Sequence, residues 1–312
     1  MRNKIFVVVN PKAGGGAGRL LWPRVAAELK KRIEGFDFEE STEMGHARHI
    51  AQEAAAAGYR LIIAYGGDGT IHEVVNGIWD SCAAPKKRPI LGMISVGTGG
   101  DLIKTLGIPK NLTEQVRIAA GPKTRKIDLG LVEYSTRRGK REKRVFINIV
   151  SAGLGGEVVR RLSRSRAIFG KKLAYLTATI ESYIAWRPKK MTILTEHSSS
   201  EDVPWPQKPL VAAIANGRFF GGGMPIAPRA NLSDGFLDLV TIGPIHPIKV
   251  PLAISFLYSQ QISRLSDVHT DRVRNVSLTS EELVNLEIDG EPIGALPATF
   301  EILPAAVEVK VP

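Results

Sequence analysis

Short apolar runs alternate with amphipathic helical patterns along residues 1–120. Runs of β-branched and other apolar residues are typical of buried strands, whereas apolar positions three or four residues apart indicate helices. The strand-like runs are IFVVVN, DFEES, LIIAY and PILGMIS. The helical patterns cover about 19–31, 46–57, TIHEVVNGIW, 101–106 and 113–120. This alternation predicts an α/β domain whose parallel sheet is covered by helices on both faces.

Beyond Lys126 the pattern changes and strand-like runs dominate. IDLGLVEY and RVFINIV flank the basic stretch RRGKREKR as the two strands of a hairpin would. Further strand-like runs are MTILTE, LVAAIAN, FLDLVTI, NVSLTS and VNLEI, with a helical pattern around 173–185. Frequent Gly and Pro, as in GGGMPIAPRANLSDG, favour a second domain that is mainly a β-sandwich. The final stretch ATFEILPAAVEVKVP is also strand-like, and pattern alone leaves its domain open.

Composition is consistent with an ordinary globular protein of two domains. The chain has 312 residues, of which 44% are hydrophobic and 23% charged. Its single cysteine, Cys82, has no partner for an internal disulfide, so a reducing, cytoplasmic location is expected. The longer apolar runs are shorter than the roughly 20 residues of a membrane span, so no span is expected.

The chain carries an excess of positive charge, with 42 Lys and Arg against 31 Asp and Glu, or +11. Such a balance favours anionic partners: nucleic acid, an acidic membrane surface or phosphorylated small molecules. The basic stretches RRGKREKR and RRLSRSRAIFGKK are interpreted either as solvated surface or as contacts with acidic headgroups. Nucleic acid is disfavoured because the charge is not accompanied by a zinc-finger spacing, an aromatic RNA-binding motif or a basic zipper.

The stretch YGGDGTIHEVVNG joins a predicted strand to a predicted helix. Its glycines allow a ligand to approach the backbone closely, and the helix expected to begin at Thr70 offers N–H groups and a positive dipole end to an anion. An acid beside a phosphate is repulsive unless a divalent cation lies between them, so Asp68 is interpreted as a direct or water-mediated Mg²⁺ ligand. The alternative is a tight turn in which Asp68 caps the helix.

Two similar loops follow other predicted strands: NPKAGGG at 10–16 and SVGTGGDL at 95–102. Because the carboxyl ends of parallel strands meet at one edge of a sheet, the three loops should converge there. Each loop alone is compatible with an ordinary β-to-α turn. Together they predict a nucleotide cradle, although none has the spacing of a Walker A loop or of a dinucleotide-binding fingerprint.

A pair of carboxylates occurs late in the chain, in the stretch IDGE. If the preceding strand VNLEI continues to Glu291, the i, i+2 spacing places Asp289 and Glu291 on one face. One carboxylate could then bind Mg²⁺ while the other accepts the proton of an attacking hydroxyl, as phosphoryl transfer requires. The alternative is a surface β-turn, because Asp-Gly is a common turn sequence.

These motifs, in this order and spacing, resemble the diacylglycerol kinase catalytic-domain family, which includes soluble bacterial lipid kinases and sphingosine kinases. The resemblance covers most of the chain. The stretches that carry it are NPKAGGG, TEMGHA, GGDGTIHEVVNG, GTGGDLIKTLGIP, VSAGLGGEV, NGRFFGGGMPIAPRANLSDGFLDLV and IDGEP.

The resemblance implies an ATP site in the first domain, with Asp68 also counted among the catalytic residues. The residues at the family's ATP-binding positions are Asn10, Pro11, Lys12, Ala13, Gly14, Thr42, Gly66, Gly67, Asp68, Gly69, Thr70, Ile71, His72, Thr98 and Asp101. The family's DGE motif supplies the catalytic carboxylate, which is Glu291 in this chain, with Asp289 beside it. An accessory Mg²⁺ site matches the Asn231 carbonyl, the Asp234 side chain and the Phe236 carbonyl. The alternative interpretation of this stretch, SDGFLDL at 233–239, is a turn that leads into a strand.

The resemblance also implies an architecture and an activity. The fold would be an NAD-kinase-like α/β domain at 1–127, to which about 295–312 returns, and a β-sandwich lipid or substrate domain at 128–294. The activity would be transfer of the γ-phosphoryl group of ATP, with Mg²⁺, to a hydroxyl of a membrane lipid such as diacylglycerol. The positive charge and the lack of an expected span fit a peripheral contact with an anionic membrane. A homodimer is left open.

One departure from the family pattern keeps other functions open. The family has Asn in its G-T-x-N-D loop where this chain has Gly100. The hydrogen bonds of that side chain must be replaced by water or lost, which leaves room for a non-catalytic nucleotide- or lipid-binding regulator. A kinase of a soluble acceptor, as in NAD kinases with their GGDGT-type loop, is the other alternative. The first loop and the late IDGE motif favour the lipid kinase.

Overall fold

The computed structural model describes residues 4–81, 88–97, 99–136, 138–162, 171–196 and 206–312. The chain forms two compact units: unit 1 comprises Met1–Leu129 and Pro304–Pro312, and unit 2 comprises Gly130–Leu303. Over the described ranges, none of the helices combines the length and the apolar character that crossing a bilayer requires.

Unit 1 contains the parallel sheet that the sequence predicts. Its strands are β1 (Ile5–Val9), β2 (Asp37–Glu40), β3 (Leu61–Gly66), β4 (Ile90–Ser95) and the end of β14 (Glu291–Lys310). Strand β1 lies between β2 and β3, β3 pairs with β4, and Val309 of β14 pairs with Leu91 of β4, all in parallel. The carboxyl ends of β1, β3 and β4 therefore meet at the same edge.

Helices cover both faces of this sheet. They are α1 (Ala17–Lys30), α2 (His46–Ala56), α3 (Asp68–Ser81), α4 (Asp101–Thr105) and α5 (Leu112–Ala120). Successive strand residues point to opposite faces, so Val7 and Ile63 pack with Trp22 of α1 in one apolar cluster that also includes α5. Val8 and Ile62 are fully buried on the other face, where α2 and α3 contact the strands. The predicted two-sided α/β architecture is confirmed.

Unit 2 is dominated by antiparallel strands. Its strands are β5 (Thr124–Ser135), which begins in unit 1, β6 (Arg141–Phe146), β7 (Ile149–Gly153), β8 (Thr192–Thr195), β9 (Val211–Ala215), β10 (Leu237–Ile242), β11 (Val268–Val273), β12 (Asn275–Thr279), β13 (Asn285–Ile288) and the first part of β14. The helices are α6 (Leu154–Leu162), α7 (Lys171–Ala185) and α8 (Val250–Tyr258). Short 3-10 helices occupy Ala13–Gly15 in unit 1 and Pro247–Lys249 and Ile262–Arg264 in unit 2.

The strands of unit 2 form the predicted sandwich. One layer follows the order β11, β10, β9, β7, β13 and β14, while β14 also pairs with β12 and β5, which extend to β8 and β6. Val150 and Ile214 face an apolar core shared with Phe300 of β14. The alternate residues Ile149 and Ala213 face a second core on the helical side. The long strand β14 thus contributes to both layers.

The basic stretch RRGKREKR lies in the predicted hairpin, with two differences in detail. Strands β5 and β6 are antiparallel, and Arg141–Arg144 belong to β6 itself, while Arg137 lies outside the described residues. The predicted strand RVFINIV is interrupted, because β6 ends at Phe146 and β7 begins at Ile149. The N–H groups of the intervening residues, Ile147 and Asn148, donate to the carboxylate of Asp289.

Candidate functional site

The first glycine-rich loop of unit 1 is held by Asn10, directly after β1. Its Nδ2 donates to Thr70 Oγ1 at 2.9 Å, and its Oδ1 accepts the backbone N–H of Lys12 at 3.0 Å. Pro11 and Ala13 are buried. Gly14 has φ 63°, and a Cβ there would lie 2.4 Å from the carbonyl oxygen of Val96, so this approach of two loops requires glycine.

Thr42 lies beside the same loop. Lys12 Nζ donates to the Thr42 carbonyl at 2.5 Å, and Thr42 Oγ1 lies 3.1 Å from Nδ1 of His46. Helix α2 begins here, and the Glu73 carboxylate of α3 accepts the N–H groups of Gly45 and Ala47 at 2.9 and 3.0 Å. Glu73 therefore caps α2 from another helix, a role that the sequence does not reveal because the partners lie 26 and 28 residues apart.

The second loop, GGDGT, follows β3 and leads into α3, which begins at Asp68 rather than at Thr70. A Cβ on Gly66 would lie 2.3 Å from Thr70 Oγ1, and a Cβ on Gly97 would lie 3.0 Å from Cα of Gly67. The loops after β3 and β4 therefore pass close to each other, and only glycine fits at the contact. Backbone that is free of side chains is what a phosphate site at a strand-to-helix junction requires.

Asp68 connects the second loop to the third. Its Oδ2 accepts the N–H of Gly100 at 2.8 Å and its Oδ1 accepts the N–H of Asp101 at 3.1 Å. Gly100 has φ 64° and ψ 42°, a left-handed conformation that Gly and Asn adopt most readily. Because the backbone N–H of Gly100 makes this bond, the link between the loops does not need the Asn side chain that the family has at this position.

The environment of Asp68 disfavours its negative charge. Burial raises the pKa of Asp68 to about 6, the charge of Asp101 adds to the shift, and hydrogen bonds from the backbone of Gly100, Leu102 and Asp101 oppose it. A cation at this carboxylate would relieve the unfavourable charge, so the residues fit a Mg²⁺ ion. Over the described ranges, no three His, Cys, Asp or Glu residues gather as a metal-binding group. Mg²⁺ commonly takes only one or two carboxylates and completes its shell with phosphates and water.

The remaining residues predicted to bind ATP lie in helices of unit 1 or outside the described residues. Thr70, Ile71 and His72 are buried in the first turns of α3, so their side chains belong to the interior of unit 1. Gly69 lies in the first turn of α3, and the buried Asp101 begins α4, with Lys104 Nζ 3.4 Å from its Oδ1. Thr98 lies outside the described residues.

In unit 2 the IDGE stretch is a hairpin turn, so the expected strand that continues to Glu291 is wrong. Strand β13 ends at Ile288 and β14 begins at Glu291, with Ile288 opposite Glu291. Asp289 and Gly290 have φ 47° and 89°, as the two central residues of a type I′ turn do. The turn follows from the Asp-Gly sequence, which tolerates positive φ better than other pairs.

The Asp289 carboxylate is bound to backbone. It accepts the N–H groups of Ile147, Asn148 and Ile149 at 3.1, 3.0 and 2.8 Å. The buried Glu287 carboxylate reinforces the turn by accepting the Gly290 N–H at 2.9 Å and the Ser151 hydroxyl at 2.7 Å. These bonds interrupt the predicted strand RVFINIV at 147–148 and fix the start of β14. Glu291, the first residue of β14, is half-buried.

The predicted accessory metal residues form a tight turn before β10. Asn231 Oδ1 accepts the Ser233 N–H, and Asp234 Oδ1 accepts the Phe236 N–H, both at 3.2 Å. Asp234 Oδ2 also accepts a hydrogen bond from Nη2 of Arg272 at 2.5 Å. The assignment of Asn231, Asp234 and Phe236 to a metal stays a prediction, and in the structure a guanidinium already neutralises the carboxylate that a cation would use.

A further buried carboxylate lies beside this turn. Burial raises the pKa of Asp238 to about 6, the charge of Asp234 adds to the shift, and Arg272 and Arg229 oppose it. Arg272 stands opposite Asp238 in the β10–β11 register. The guanidinium groups of Arg272 and Arg274 also lie over the ring of Phe236, with 4.5 and 4.9 Å to its centroid. This part of unit 2 therefore brings acidic and basic side chains together, and the charge of Asp238 is disfavoured there.

Each unit of the chain matches a known protein-family model. The family model "Diacylglycerol kinase catalytic domain" matches residues 4–132, and "YegS C-terminal NAD kinase beta sandwich-like domain" matches residues 148–311. The chain belongs to the diacylglycerol kinase catalytic-domain family. The resemblance carried by the loop motifs is thereby confirmed, as is the predicted fold class.

Members of the diacylglycerol kinase family match over nearly their whole length. A diacylglycerol kinase of Bacillus subtilis is 29% identical over 98% of this chain and 95% of its own. A Pseudomonas aeruginosa protein described as "Probable lipid kinase YegS-like" is 30% identical over 100% of this chain and 95% of its own. A crystal structure of a diacylglycerol kinase from Bacillus anthracis shares the fold, with a TM-score of 0.71 and 22% identity over 100% and 97% of the chains.

Membership of the diacylglycerol kinase family establishes the general chemistry. The chain is a member of a lipid kinase family, hence a phosphotransferase, and the family implies use of ATP. The glycine-rich loops of unit 1 lie within the part that the catalytic-domain model matches, and the Asp289 turn lies within the sandwich-domain match.

Proposed function

We propose that this chain transfers the γ-phosphoryl group of ATP to a hydroxyl of a membrane lipid, with diacylglycerol as the acceptor. The observation that carries the proposal is the Asp68 carboxylate, which accepts the N–H groups of Gly100 and Asp101 and so assembles two glycine-rich loops at one sheet edge. Gly14 brings the first loop to the same place through its approach to Val96. This arrangement supports binding of a nucleotide through its phosphates.

In this proposal the loops of unit 1 hold the phosphates of ATP by backbone groups. Glycine at positions 14, 66, 67 and 97 keeps the path of these backbones free of side chains. When Mg²⁺ is bound with ATP, it supplies positive charge that neutralises the transferring phosphate. Asp68 is the carboxylate that would hold it, because its charge is buried and uncompensated by an ion pair among its described contacts.

Glu291 is the proposed proton acceptor. As the lipid hydroxyl oxygen forms a bond to the γ-phosphorus, the bond from that phosphorus to the leaving oxygen of ADP breaks, and the hydroxyl proton passes to the Glu291 carboxylate. Asp289 has a positioning role, since its carboxylate is bonded to three backbone N–H groups and fixes the turn that precedes Glu291. In this proposal Glu291 accepts the proton, and Asp289 holds the turn that positions Glu291.

The acceptor places the protein at a membrane. Diacylglycerol resides in the bilayer, so a chain without a described spanning helix must meet the bilayer from the water phase. The excess of positive charge, +11, favours a surface with anionic lipids. We propose a cytoplasmic protein that binds the membrane peripherally.

Phosphoryl transfer from labelled ATP tests this function. The full chain is incubated with γ-labelled ATP and Mg²⁺ and, in separate mixed-micelle reactions, with diacylglycerol or sphingosine, and with NAD in solution. We expect label in diacylglycerol, and a fall of kcat by about 10²- to 10⁴-fold for Glu291→Ala. Glu301→Ala is the matched control, since Glu301 is an exposed carboxylate on the same strand. Label in NAD alone, or in none of the acceptors, would overturn the proposal.

A further inference from the structure

Helix α8 of unit 2 presents apolar side chains to solvent. Leu252, Ile254 and Tyr258 are exposed on the helix, and Ile248, in the 3-10 turn before it, is 81% exposed. These four residues are referred to as the α8 apolar face. Soluble proteins expose single apolar residues routinely, but a group of large ones on one short segment marks an interaction site.

One side of α8 packs against the core of unit 2. The exposed apolar residues lie on the other sides of the helix. Ala253 is buried, and Leu257, four residues on, packs against the apolar core on the helical side of the sandwich. The segment before the helix is held by the Tyr183 hydroxyl of α7, which donates to the Ile245 carbonyl at 2.5 Å. The helix that carries the α8 apolar face is therefore held in place by packing and by a hydrogen bond.

The charged residues of the segment that contains α8 indicate which partner the α8 apolar face binds. The segment 243–266 contains no Asp or Glu, and its charged residues are Lys249 and Arg264. Lys249 directly follows the exposed Ile248, and both Lys249 and Arg264 are exposed themselves. Apolar side chains beside cations, with no acid in the sequence from Lys249 to Arg264, match the acyl boundary and anionic headgroups of a bilayer. Tyr258 adds an amphipathic ring of the kind enriched at membrane interfaces.

In the other basic stretches, four described cations are paired with acids of the chain. In β6, Arg141 and Lys143 lie 3.4 and 3.0 Å from the carboxylate of Glu133 on β5. Arg160 and Arg161 of α6 both pair with Glu157. These cations already have acidic partners in the chain, which lowers their attraction for anionic lipid. Charge complementarity therefore favours α8.

We propose that the α8 apolar face docks on the surface of an anionic bilayer, with Ile248, Leu252, Ile254 and Tyr258 entering the acyl boundary. Lys249 and Arg264 contact the headgroups. This proposal rests on the proposed lipid-kinase function, because it supplies the surface through which unit 2 meets the membrane that holds the acceptor. It differs from that function in requiring neither ATP nor catalysis.

Vesicle sedimentation without nucleotide tests the proposal. The full chain is mixed with phosphatidylcholine vesicles or with vesicles that also contain phosphatidylglycerol. We expect binding to the anionic vesicles that Leu252→Ser/Ile254→Ser weakens by about tenfold or more. Leu283→Ser is the matched control, since Leu283 is 60% exposed elsewhere in unit 2, and its binding should equal that of the wild type. Unchanged thermal unfolding confirms that each variant is folded.

A second pair of substitutions tests the headgroup contact. Lys249→Gln/Arg264→Gln should weaken binding to anionic vesicles by about tenfold or more and leave the weak binding to phosphatidylcholine unchanged. Equal binding of wild type and both double variants overturns the proposal. If ultracentrifugation instead shows a dimer that Leu252→Ser/Ile254→Ser dissociates, a second copy covers the face and the proposal is also overturned.

Catalysis separates this proposal from the proposed function. With a short-chain diacylglycerol dissolved as monomers, Leu252→Ser/Ile254→Ser should transfer phosphate as fast as the wild type, whereas transfer on vesicles should fall with binding. Vesicle binding without transfer to any lipid would contradict the kinase function alone. Transfer to the short-chain lipid without α8-dependent vesicle binding would contradict the docking surface alone.

Discussion

The backbone N–H of Ile149 donates to the carboxylate of Asp289 at 2.8 Å, although the two residues are 140 positions apart. The neighbouring N–H groups of Ile147 and Asn148 donate to the same carboxylate. Asp289 thereby satisfies the backbone where β6 gives way to β7 and anchors the turn that leads to Glu291. The Asp289 carboxylate of the IDGE stretch is therefore structural, and Glu291 remains the proposed proton acceptor.

Substitution of Asp289 should destabilise the chain. Asp289→Ala removes three charge-assisted hydrogen bonds and places Ala at φ 47°, so we expect the free energy of unfolding to fall by about 3 kcal/mol or more. Asp289→Asn keeps an acceptor oxygen and tolerates positive φ, so its loss should be about half as large. Urea unfolding measures both. An Asp289→Ala variant as stable as the wild type would contradict the anchoring role.

Adding one methyl group at Gly14 should impair nucleotide binding. Ala at position 14 would bring Cβ to 2.4 Å from the Val96 carbonyl oxygen and force the first and third loops apart. Gly15→Ala is the matched control, because Gly15 also has positive φ, 72°, but no atom within 4 Å of its Cβ. Both variants carry about 1 kcal/mol of backbone strain. We expect ATP affinity, measured by calorimetry, to fall by about tenfold or more in Gly14→Ala relative to Gly15→Ala; equal affinities would count against the cradle.

The buried Asp238 should make stability depend on pH. Its native pKa of about 6 lies above the ordinary 3.8, so folding takes up a proton between these values and the free energy of unfolding falls as pH rises from about 4 to 7. Asp238→Asn cannot ionise and should be more stable than the wild type at pH 8, by about 2–3 kcal/mol. At pH 4 the two should be nearly equal, which serves as the internal control. A stability difference that does not change with pH would exclude a buried, strained charge.

Removal of Arg272 should increase the affinity of unit 2 for divalent cations. The guanidinium bonded to Asp234 competes with any cation for that carboxylate, so Arg272→Ala should bind Mg²⁺ or Ca²⁺ about fivefold more tightly in a calorimetric titration. Arg274→Ala is the matched control, because Arg274 lies over the same Phe236 ring. If Arg272→Ala and the wild type bind these ions equally, Arg272 does not compete with a cation for the Asp234 carboxylate.

The sequence predicts the architecture of unit 1 well because its information is local. Apolar runs and helical periodicity identify β1, β3, β4 and their helices, and the glycines mark the loops at their ends. The function of Asp68 as a link between loops depends on backbone atoms 32 and 33 residues away, which no local pattern contains. The same holds for Glu73, which caps α2 by accepting the N–H groups of Gly45 and Ala47, 28 and 26 residues before it.

The IDGE stretch shows how two local signals can compete. The i, i+2 spacing of Asp289 and Glu291 predicts one strand face, whereas Asp-Gly predicts a hairpin turn. The turn forms because Asp289 at positive φ gains three backbone donors that an extended strand would not give it. Those donors belong to residues 147–149, so only the tertiary structure decides between the signals.

Calorimetric titration of the full chain with ATP in excess Mg²⁺ tests most directly whether the three loops of unit 1 form a phosphate cradle. We expect saturable uptake of one ATP per chain. Uptake should be retained in Glu291→Ala, because Glu291 lies outside the three loops, and weakened in Gly14→Ala. Uptake that is absent from the wild type at every concentration, or equal in Gly14→Ala and Gly15→Ala, would contradict the cradle and with it the kinase mechanism.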